Sequence, residues 1–214
     1  MNLPKYDILP DETNHIYEFI SEGKNGKIYK MVKFQETNLT DVYNLGFGDK
    51  DPLTEEIDDM VVSDNGDMEK VLATVISIIY VFTEKFPDKW VFIQGSSPVR
   101  TRLYRIIITK YLNLIKKDFF LKCWINGEWE DFLPNVIYQG FAIKRKKQLI
   151  TMSTEEKKEL TQMEASKRKV QKETPYYVLL EPDPSLNKYI NKVLFPKKLD
   201  LANKALSLSG APKI

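Results

Sequence analysis

Residues 66–117 restrict the fold of this 214-residue chain more than any other stretch, because two helical patterns there flank a short apolar run without interruption. Asp67 is placed to cap a first helix that runs to about Lys85, and residues 98–117 have the pattern of a second helix. Between them, residues 90–93 (Trp-Val-Phe-Ile) are typical of a buried strand. The apolar face of the first helix consists of Val71, Leu72, Val75, Ile78, Ile79 and Phe82. This order of elements predicts a sheet with helices packed on it.

The joint between that strand and the second helix, residues 94–102, reads Gln-Gly-Ser-Ser-Pro-Val-Arg-Thr-Arg. Ser97 followed by Pro98 predicts the N-cap and the first residue of the helix. A helix N-terminus presents free backbone N–H groups and the positive end of its dipole to an anion. The sequence therefore predicts an anion-binding site in this segment. Its members are Ser96, Ser97, Arg100 and Arg102.

The helical wheel separates the arginines of this segment. Arg102 and Arg105 fall on the polar face, where solvent accounts for them. Arg100 falls in the apolar sector of the first turn, over the carboxyl end of the 90–93 strand. A buried arginine needs a partner, so Arg100 either pairs with a carboxylate of the N-terminal strands or binds an anionic ligand.

The remaining patterns predict strands. Residues 15–35 form a hairpin with a turn at 22–26, where Asn25-Gly26 supplies the positive φ of a tight turn. Further strands are predicted at 42–47, 60–62, 119–126, 129–132 and 138–144. The predicted fold is α+β with the order ββββαβαββ: a largely antiparallel sheet with both helices on one face.

The composition changes after about Ile150, so we predict a core domain at residues 1–148 and an appendage at 149–214. The appendage is expected to hold a polar helix at 153–172, a strand at 176–180, a short helix at 186–195 and a frayed end at 206–214. Docking of this tail on its own core is the simpler expectation. The alternative is that its strand adds to the sheet of a partner protein.

Charge is distributed unevenly along the chain. Residues 1–69 carry 6 Lys and 16 Asp plus Glu, a net charge of −10, and the other 145 residues carry 26 basic and 14 acidic side chains, a net charge of +12. Their sum is the +2 of the whole chain. Either the two parts neutralise each other in the fold, or a basic surface is offered to phosphates.

Several kinds of site are excluded by residue content. The single cysteine, Cys123, cannot form an intramolecular disulfide, and with the single histidine, His15, it leaves too few ligands for a zinc or iron site. The phosphate-loop, dinucleotide-binding and nucleophile-elbow motifs are absent from the sequence. No cofactor is expected. Magnesium remains an alternative, held by loop carboxylates that would serve a phosphodiester or phosphate hydrolase. These carboxylates are Asp49, Asp58, Asp59 and Asp67.

The lengths of the apolar runs bear on where in the cell the protein is expected. No run approaches the roughly 18 apolar residues that span a bilayer, and the first residues lack the apolar stretch of a secretory signal. We therefore expect a cytoplasmic protein without a membrane partner.

Aromatic and basic residues alternate along the later strands, a pattern that also occurs where proteins stack bases and contact phosphates. The aromatic members are Tyr104, Trp124, Trp129, Tyr138 and Phe141, and the basic members are Arg100, Arg102, Lys122, Lys144, Arg145 and Lys146. Aromatic residues at alternate strand positions are also typical of a core. The sequence pI of 8.4 is below the value of about 9 that is typical of dedicated nucleic-acid-binding domains.

Three segments resemble a family of uncharacterised bacterial domains of about 150 residues, an ordinary domain length. They are residues 43–49 (Tyr-Asn-Leu-Gly-Phe-Gly-Asp), residues 65–67 (Asn-Gly-Asp) with 70–75 (Lys-Val-Leu-Ala-Thr-Val), and Gly95-Ser96 with residues 100–104 (Arg-Thr-Arg-Leu-Tyr). A shorter part is similar to small phage-encoded proteins. The resemblance covers about residues 10–147 and brings no known activity or catalytic residues. It implies an association with phage-conflict or toxin–antitoxin loci.

Together these patterns predict a binding module whose helix start at residues 96–102 contacts an anion, with nucleic-acid phosphate or an acidic protein as the partner. The hydrolase that uses loop aspartates is one alternative, and whether the protein is an enzyme stays open. An interaction module that acts through the C-terminal tail is another.

Overall fold

The computed structural model describes residues 4–61, 63–146, 170–174 and 177–214. Its strands are β1 Leu9–Pro10, β2 Ile16–Gly23, β3 Gly26–Glu36, β4 Val42–Lys50, β5 Ile57–Asp58, β6 Trp90–Ile93, β7 Phe119–Ile125, β8 Glu128–Asp131, β9 Gly140–Arg145, β10 Val170–Glu173 and β11 Val178–Leu180. Its α-helices are α1 Met68–Lys85, α2 Pro98–Lys110, α3 Leu112–Asp118 and α4 Pro196–Ser209, and a 3₁₀ helix spans Pro184–Tyr189.

Within the described ranges, nine strands form one sheet in the order β1-β2-β3-β4-β6-β9-β7-β8, with β5 also paired to β4. Every neighbouring pair is antiparallel except β4 and β6, which are parallel because α1 crosses between them. Helices α1 and α2 pack on the same face of this sheet. The α+β prediction with a largely antiparallel sheet is therefore confirmed.

The predicted hairpin is β2 with β3, and Gly26 has the positive φ (83°) that its turn requires. The predicted strand at 60–62 is wrong. Strand β5 lies earlier, at Ile57–Asp58, while Met60 and Val61 are exposed and Val62 lies outside the described residues. Gly48 explains the position of β5, because a Cβ there would lie 2.7 Å from the Asp58 carbonyl oxygen.

The first predicted helix is α1, but Asp67 does not cap it as expected. Asp67 occupies the N-cap position without a side-chain hydrogen bond to the helix. Its carboxylate instead accepts from Tyr6 Oη at 2.7 Å and from Ser21 Oγ at 2.6 Å. The carboxylate therefore ties the start of the helix to the N-terminal segment and β2.

The second predicted helix is divided in two. Tyr111 ends α2 and begins α3 with φ −114° and ψ 20°, outside helical values. Ile115 of α3 packs against the same core cluster that contains Ile108 of α2. Helix periodicity alone did not show this break, because the apolar spacing continues through it.

The last part of the chain, from the 3₁₀ helix to α4, packs on the sheet face opposite α1. Helix α4 buries Ala202, Ala205 and Leu206 against Trp90 and Phe92 of β6. The prediction of a frayed end at 206–214 is therefore wrong for residues 206–209, because α4 extends through them. The predicted short helix at 186–195 is the 3₁₀ helix Pro184–Tyr189, followed by a connection into α4.

Strand β11 corresponds to the predicted strand at 176–180 but is shorter, and residue 176 lies outside the described residues. Ile8 N donates to the Val178 carbonyl at 3.0 Å, and Leu180 N donates to the Ile8 carbonyl at 2.9 Å. This pairing docks the tail strand on the chain's own N-terminal segment. It agrees with the expectation that the tail docks on its own core. Most of the predicted helix at 153–172 lies outside the described residues, and its last three positions belong to β10. The boundary at residue 148 stays a prediction.

No helix within residues 4–61, 63–146, 170–174 and 177–214 combines the length and the apolar character that crossing a bilayer requires.

Candidate functional site

A cleft of about 620 Å³ opens at the N-terminus of α2. One wall is the connection from β6 into α2, and the facing wall is the loop that precedes β9. Trp124 of β7 lies in its floor, and Leu201 of α4 closes one side. Four separate parts of the chain build this cleft, so it exists only in the folded protein.

The β6–α2 connection is held in a tight turn. Gly95 N donates to Thr101 Oγ1 at 3.1 Å, and a Cβ on Gly95 would lie 2.4 Å from the Thr101 backbone nitrogen. Ser97 is the predicted N-cap, because its Oγ accepts from Arg100 N at 3.4 Å, and Pro98 follows as the first helical residue. The turn therefore places Val99 at the cleft wall.

Arg100 has two partners that the sequence did not predict. Its Nη1 donates to Ser96 Oγ at 2.9 Å and its Nη2 donates to the Val61 carbonyl at 2.6 Å, while Ser96 Oγ donates to the Asp59 carbonyl at 2.9 Å. Within the described part of the chain, Arg100 forms no ion pair with a carboxylate. Arg100 and Ser96 thus clamp the loop after β5 to the start of α2.

Arg102 and Arg105 are the charged residues of the cleft lining. Arg102 is exposed, as predicted, and among the described residues it has neither a hydrogen-bond nor an ion-pair partner. Arg105, predicted to be solvated, is half-buried, and its Nη1 donates to the Val136 carbonyl at 2.9 Å. This hydrogen bond links Arg105 to the loop on the opposite wall. Because Arg102 and Arg105 both line the cleft from α2, this side of the cleft is cationic.

Apolar and aromatic side chains form the rest of the cleft. Tyr138 is buried at its base, where its Oη accepts from Leu133 N at 2.9 Å, and burial is the main cause that raises its pKa to about 12. Ile137 and Val99 stand at the rim with 77% and 71% of their surface exposed. No Asp or Glu belongs to the described lining. The cleft is thus suited to an anionic ligand that also has an apolar part.

Most of this chain matches a known protein family. The sequence profile of DUF6934, described as a family of unknown function, matches residues 2–146. The chain belongs to the DUF6934 family. No curated protein and no solved structure matches it significantly. The DUF6934 match includes β1 to β9 and α1 to α3, and therefore every residue of the cleft lining except Leu201.

Membership in DUF6934 agrees with the resemblance seen in the sequence, which covered about residues 10–147. It assigns no activity to the cleft. The tail, with α4, lies beyond the DUF6934 match, so this chain completes the cleft with a residue from outside the family region.

The carboxylates of Asp49, Asp58 and Asp67, three of the four aspartates of the hydrolase alternative, have separate partners. Asp49 pairs with Lys30, Asp58 Oδ1 accepts from Met60 N at 2.6 Å, and Asp67 accepts from Tyr6 and Ser21 as described above. The Asp59 backbone carbonyl accepts from Ser96. In the described part of the chain, no group of three or more His, Cys, Asp or Glu side chains is placed to hold a metal ion. This geometry adds no support to that alternative.

His15 and Cys123 occupy structural positions. The His15 ring lies against Phe82 and Phe86, and burial lowers the pKa of its imidazole. Cys123 is fully buried, and burial raises the pKa of its thiol to about 12. A thiol that stays protonated at neutral pH is a poor nucleophile.

The structure divides the predicted site residues into two groups. The side chains of Ser96, Ser97 and Arg100 form hydrogen bonds within the chain, and of these three residues only Ser96 and Ser97 belong to the described cleft lining. Arg102 keeps its side chain open to the cleft. Of the aromatic residues that the alternation pattern singled out, Trp124 and Tyr138 join it there. Arg105 and Leu201 were missed, because no local pattern shows that a polar helix face or a distant helix will border a cleft.

Proposed function

We propose that this DUF6934 protein is a binding module for single-stranded nucleic acid, which it holds through phosphate contacts at the cleft. The observation that carries the proposal is Arg102, an exposed guanidinium without a described partner at the mouth of a cleft that has no acidic lining. A guanidinium is suited to phosphate because its planar donors match two phosphate oxygens at once.

The start of α2 adds a second attraction for phosphate. Pro98 has no N–H, and the Val99 N–H makes no hydrogen bond to a described residue, so it is a free donor at the positive end of the helix dipole. Arg105 contributes charge on the same side, with one guanidinium nitrogen already used. These groups would hold one or two phosphates of a strand that crosses the cleft mouth.

The shape and lining of the cleft favour single strands over a duplex or an acidic protein. A duplex offers a convex surface of stacked bases, whereas a single strand can place a nucleotide in a concave site. An acidic peptide would satisfy the arginines but would leave the half-buried ring of Trp124 without a planar partner. The acidic-protein partner is therefore the competing outcome of the test.

The test measures binding of a short fluorescent single-stranded oligonucleotide by anisotropy over a series of salt concentrations. Arg102→Ala should weaken binding about tenfold and reduce the slope of log K against log salt by about 0.7, the value for one phosphate contact on a single strand. The matched control is Lys110→Ala, which removes a cation from the same helix outside the cleft and breaks an exposed pair with Glu69 and a contact with the Tyr111 ring.

The outcomes discriminate between the partners. Equal losses in the two variants would mean that general positive charge, and not the cleft, binds the strand. Binding of poly-glutamate that depends on Arg102, without binding of the oligonucleotide, would replace nucleic acid by an acidic protein partner. If neither probe binds, the phosphate proposal is wrong.

A further inference from the structure

Two buried polar atoms of the cleft residues have no hydrogen-bond partner among the described residues: Gln94 Oε1 and Trp124 Nε1. Buried polar atoms are nearly always paired, because an unpaired one destabilises the folded state. Trp129 on the neighbouring strand shows the usual arrangement, since its Nε1 donates to the Gly210 carbonyl at 3.0 Å. Both residues line the cleft while these two atoms are themselves covered, so the folded chain leaves an acceptor and a donor unused beside the cleft.

The sheet places these two side chains on either side of one glycine. Trp124 pairs with Gly140 in the β7–β9 register. The β6–β9 register ends with Ile93 opposite Phe141, and its next step brings Gln94 to Gly140. Gln94 and Trp124 are thus two strand spacings, about 10 Å, apart on the face that also carries Phe92. A Cβ on Gly140 would lie 2.9 Å from the Phe92 ring, so the sheet surface between the two polar residues is packed with an apolar ring.

A half-buried aromatic ring and an amide side chain that line the same cleft match the chemistry of a nucleobase. A base has apolar faces that stack on an aromatic ring and an edge that carries both N–H donors and oxygen or nitrogen acceptors. The amide of Gln94 turns about a terminal torsion with a broad preference, so it can present Oε1 to a ligand without leaving a favoured rotamer. Trp124 offers a half-buried ring in the cleft.

We propose that the cleft takes one unstacked nucleobase of a single-stranded nucleic acid, with its ring against Trp124 and its polar edge bonded to Gln94. This inference rests on the proposed function, because it needs Arg102 to hold the adjoining phosphate. It adds that the protein recognises a base as well as the backbone. One nucleotide of the strand is then unstacked from its neighbours when the protein binds.

The first experiment compares two oligonucleotides of the same length and charge, one intact and one with abasic positions throughout. Both offer the same phosphates, so the ratio of their affinities isolates the contribution of the bases. The intact strand should bind the unaltered protein about tenfold more tightly than the abasic strand.

The second experiment uses Gln94→Leu with Gln35→Leu as its control. Gln35 Oε1 is also buried without a partner, but Gln35 lies on β3 and does not line the cleft. Both substitutions remove an unpaired polar group, so both should leave the urea midpoint unchanged or raise it. Only Gln94→Leu should reduce the ratio of intact to abasic affinity, by several-fold.

The results separate this inference from the proposed function. Equal, Arg102-dependent binding of the two strands would overturn base recognition and leave phosphate binding intact. An affinity ratio that is the same in Gln94→Leu and Gln35→Leu would overturn the role of Gln94. Absence of Arg102-dependent binding to either strand would overturn both proposals.

Discussion

At the scale of single residues, Lys198 is the most unusual side chain of the C-terminal region. It lies in the first turn of α4 with only 4% of its surface exposed, and no described carboxylate is within ion-pair distance of it. Burial is the main cause that lowers the pKa of its amine to about 8, with Asp59 acting to raise it and Arg100 to lower it further. A cation near a helix N-terminus also opposes the helix dipole.

Lys198 should make stability depend on pH. Its pKa is lower in the folded protein than the ordinary 10.5, so between these values the unfolded chain binds more protons and the free energy of unfolding rises with pH. The full rise is about 3 kcal/mol, and below the folded pKa the cost of the buried charge is complete. Lys198→Met should be more stable at about pH 7 and should lack this rise, which urea unfolding at about pH 7 and pH 10 will measure.

Cys123 acts in the opposite direction above its ordinary pKa of 9.0, because burial keeps its thiol protonated in the folded state. That contribution is present in both proteins and cancels in their difference. The same pH slope in Lys198→Met as in the unaltered protein would contradict the account of Lys198.

At the scale of elements, α4 covers a sheet face that sequence patterns did not connect with it. Gly46 of β4 makes room for the connection into this helix, because a Cβ there would lie 1.9 Å from the Phe195 ring. Leu206 is 1% exposed and Leu208, two residues later, is 76% exposed. The helix therefore docks through one narrow face, with the other in solvent.

Leu206→Ala and Leu208→Ala are the same substitution on the two faces of α4. Leu206→Ala should lower the free energy of unfolding by about 2–5 kcal/mol, because it removes buried methyl groups and leaves a cavity. Leu208→Ala should change it by less than about 0.5 kcal/mol. Urea unfolding of both variants measures the difference, and similar losses would show that α4 is not docked in this way.

At the scale of the whole molecule, the helical layer does not fill the space above the sheet. A cavity of about 90 Å³ remains between α1, α2, α3 and the sheet, lined almost entirely by apolar atoms. Val75 of α1 borders it and is 7% exposed. Close-packed interiors leave few such voids, and the break at Tyr111 between α2 and α3 lies in the same helical layer.

Val75→Ile should add a methylene to this cavity and raise the free energy of unfolding by about 1 kcal/mol. Val193→Ile is the matched control, because Val193 is 51% exposed and the same addition there should have almost no effect. Thermal unfolding of the two variants provides the measurement. Destabilisation of Val75→Ile by about 1–3 kcal/mol, as in an overpacked core, would mean that the space cannot accept the added atoms.

The sequence predicted those parts of the fold whose causes are local. The turn at Asn25-Gly26, helix α1, the N-cap Ser97 and the alternating strands β7 and β9 follow from residues that are neighbours in the chain. Strand β5 was misplaced, because its position depends on contact with Gly48 across the sheet. Helix α4 was missed although Ala202, Ala205 and Leu206 have helical spacing, because a short stripe of small residues does not show what it packs against.

For the candidate site, the sequence by itself determined that a strand ends and a capped helix begins at residues 94–98, and that arginines follow in its first turns. Only the tertiary structure decided what each arginine does. Arg100 clamps the loop at Val61, Arg105 fixes the loop at Val136, and Arg102 is left open to the cleft. The physical reason is that caps and periodicity act within a few residues of chain, whereas a guanidinium is satisfied by carbonyl groups that the fold brings from about 30 to 40 residues away.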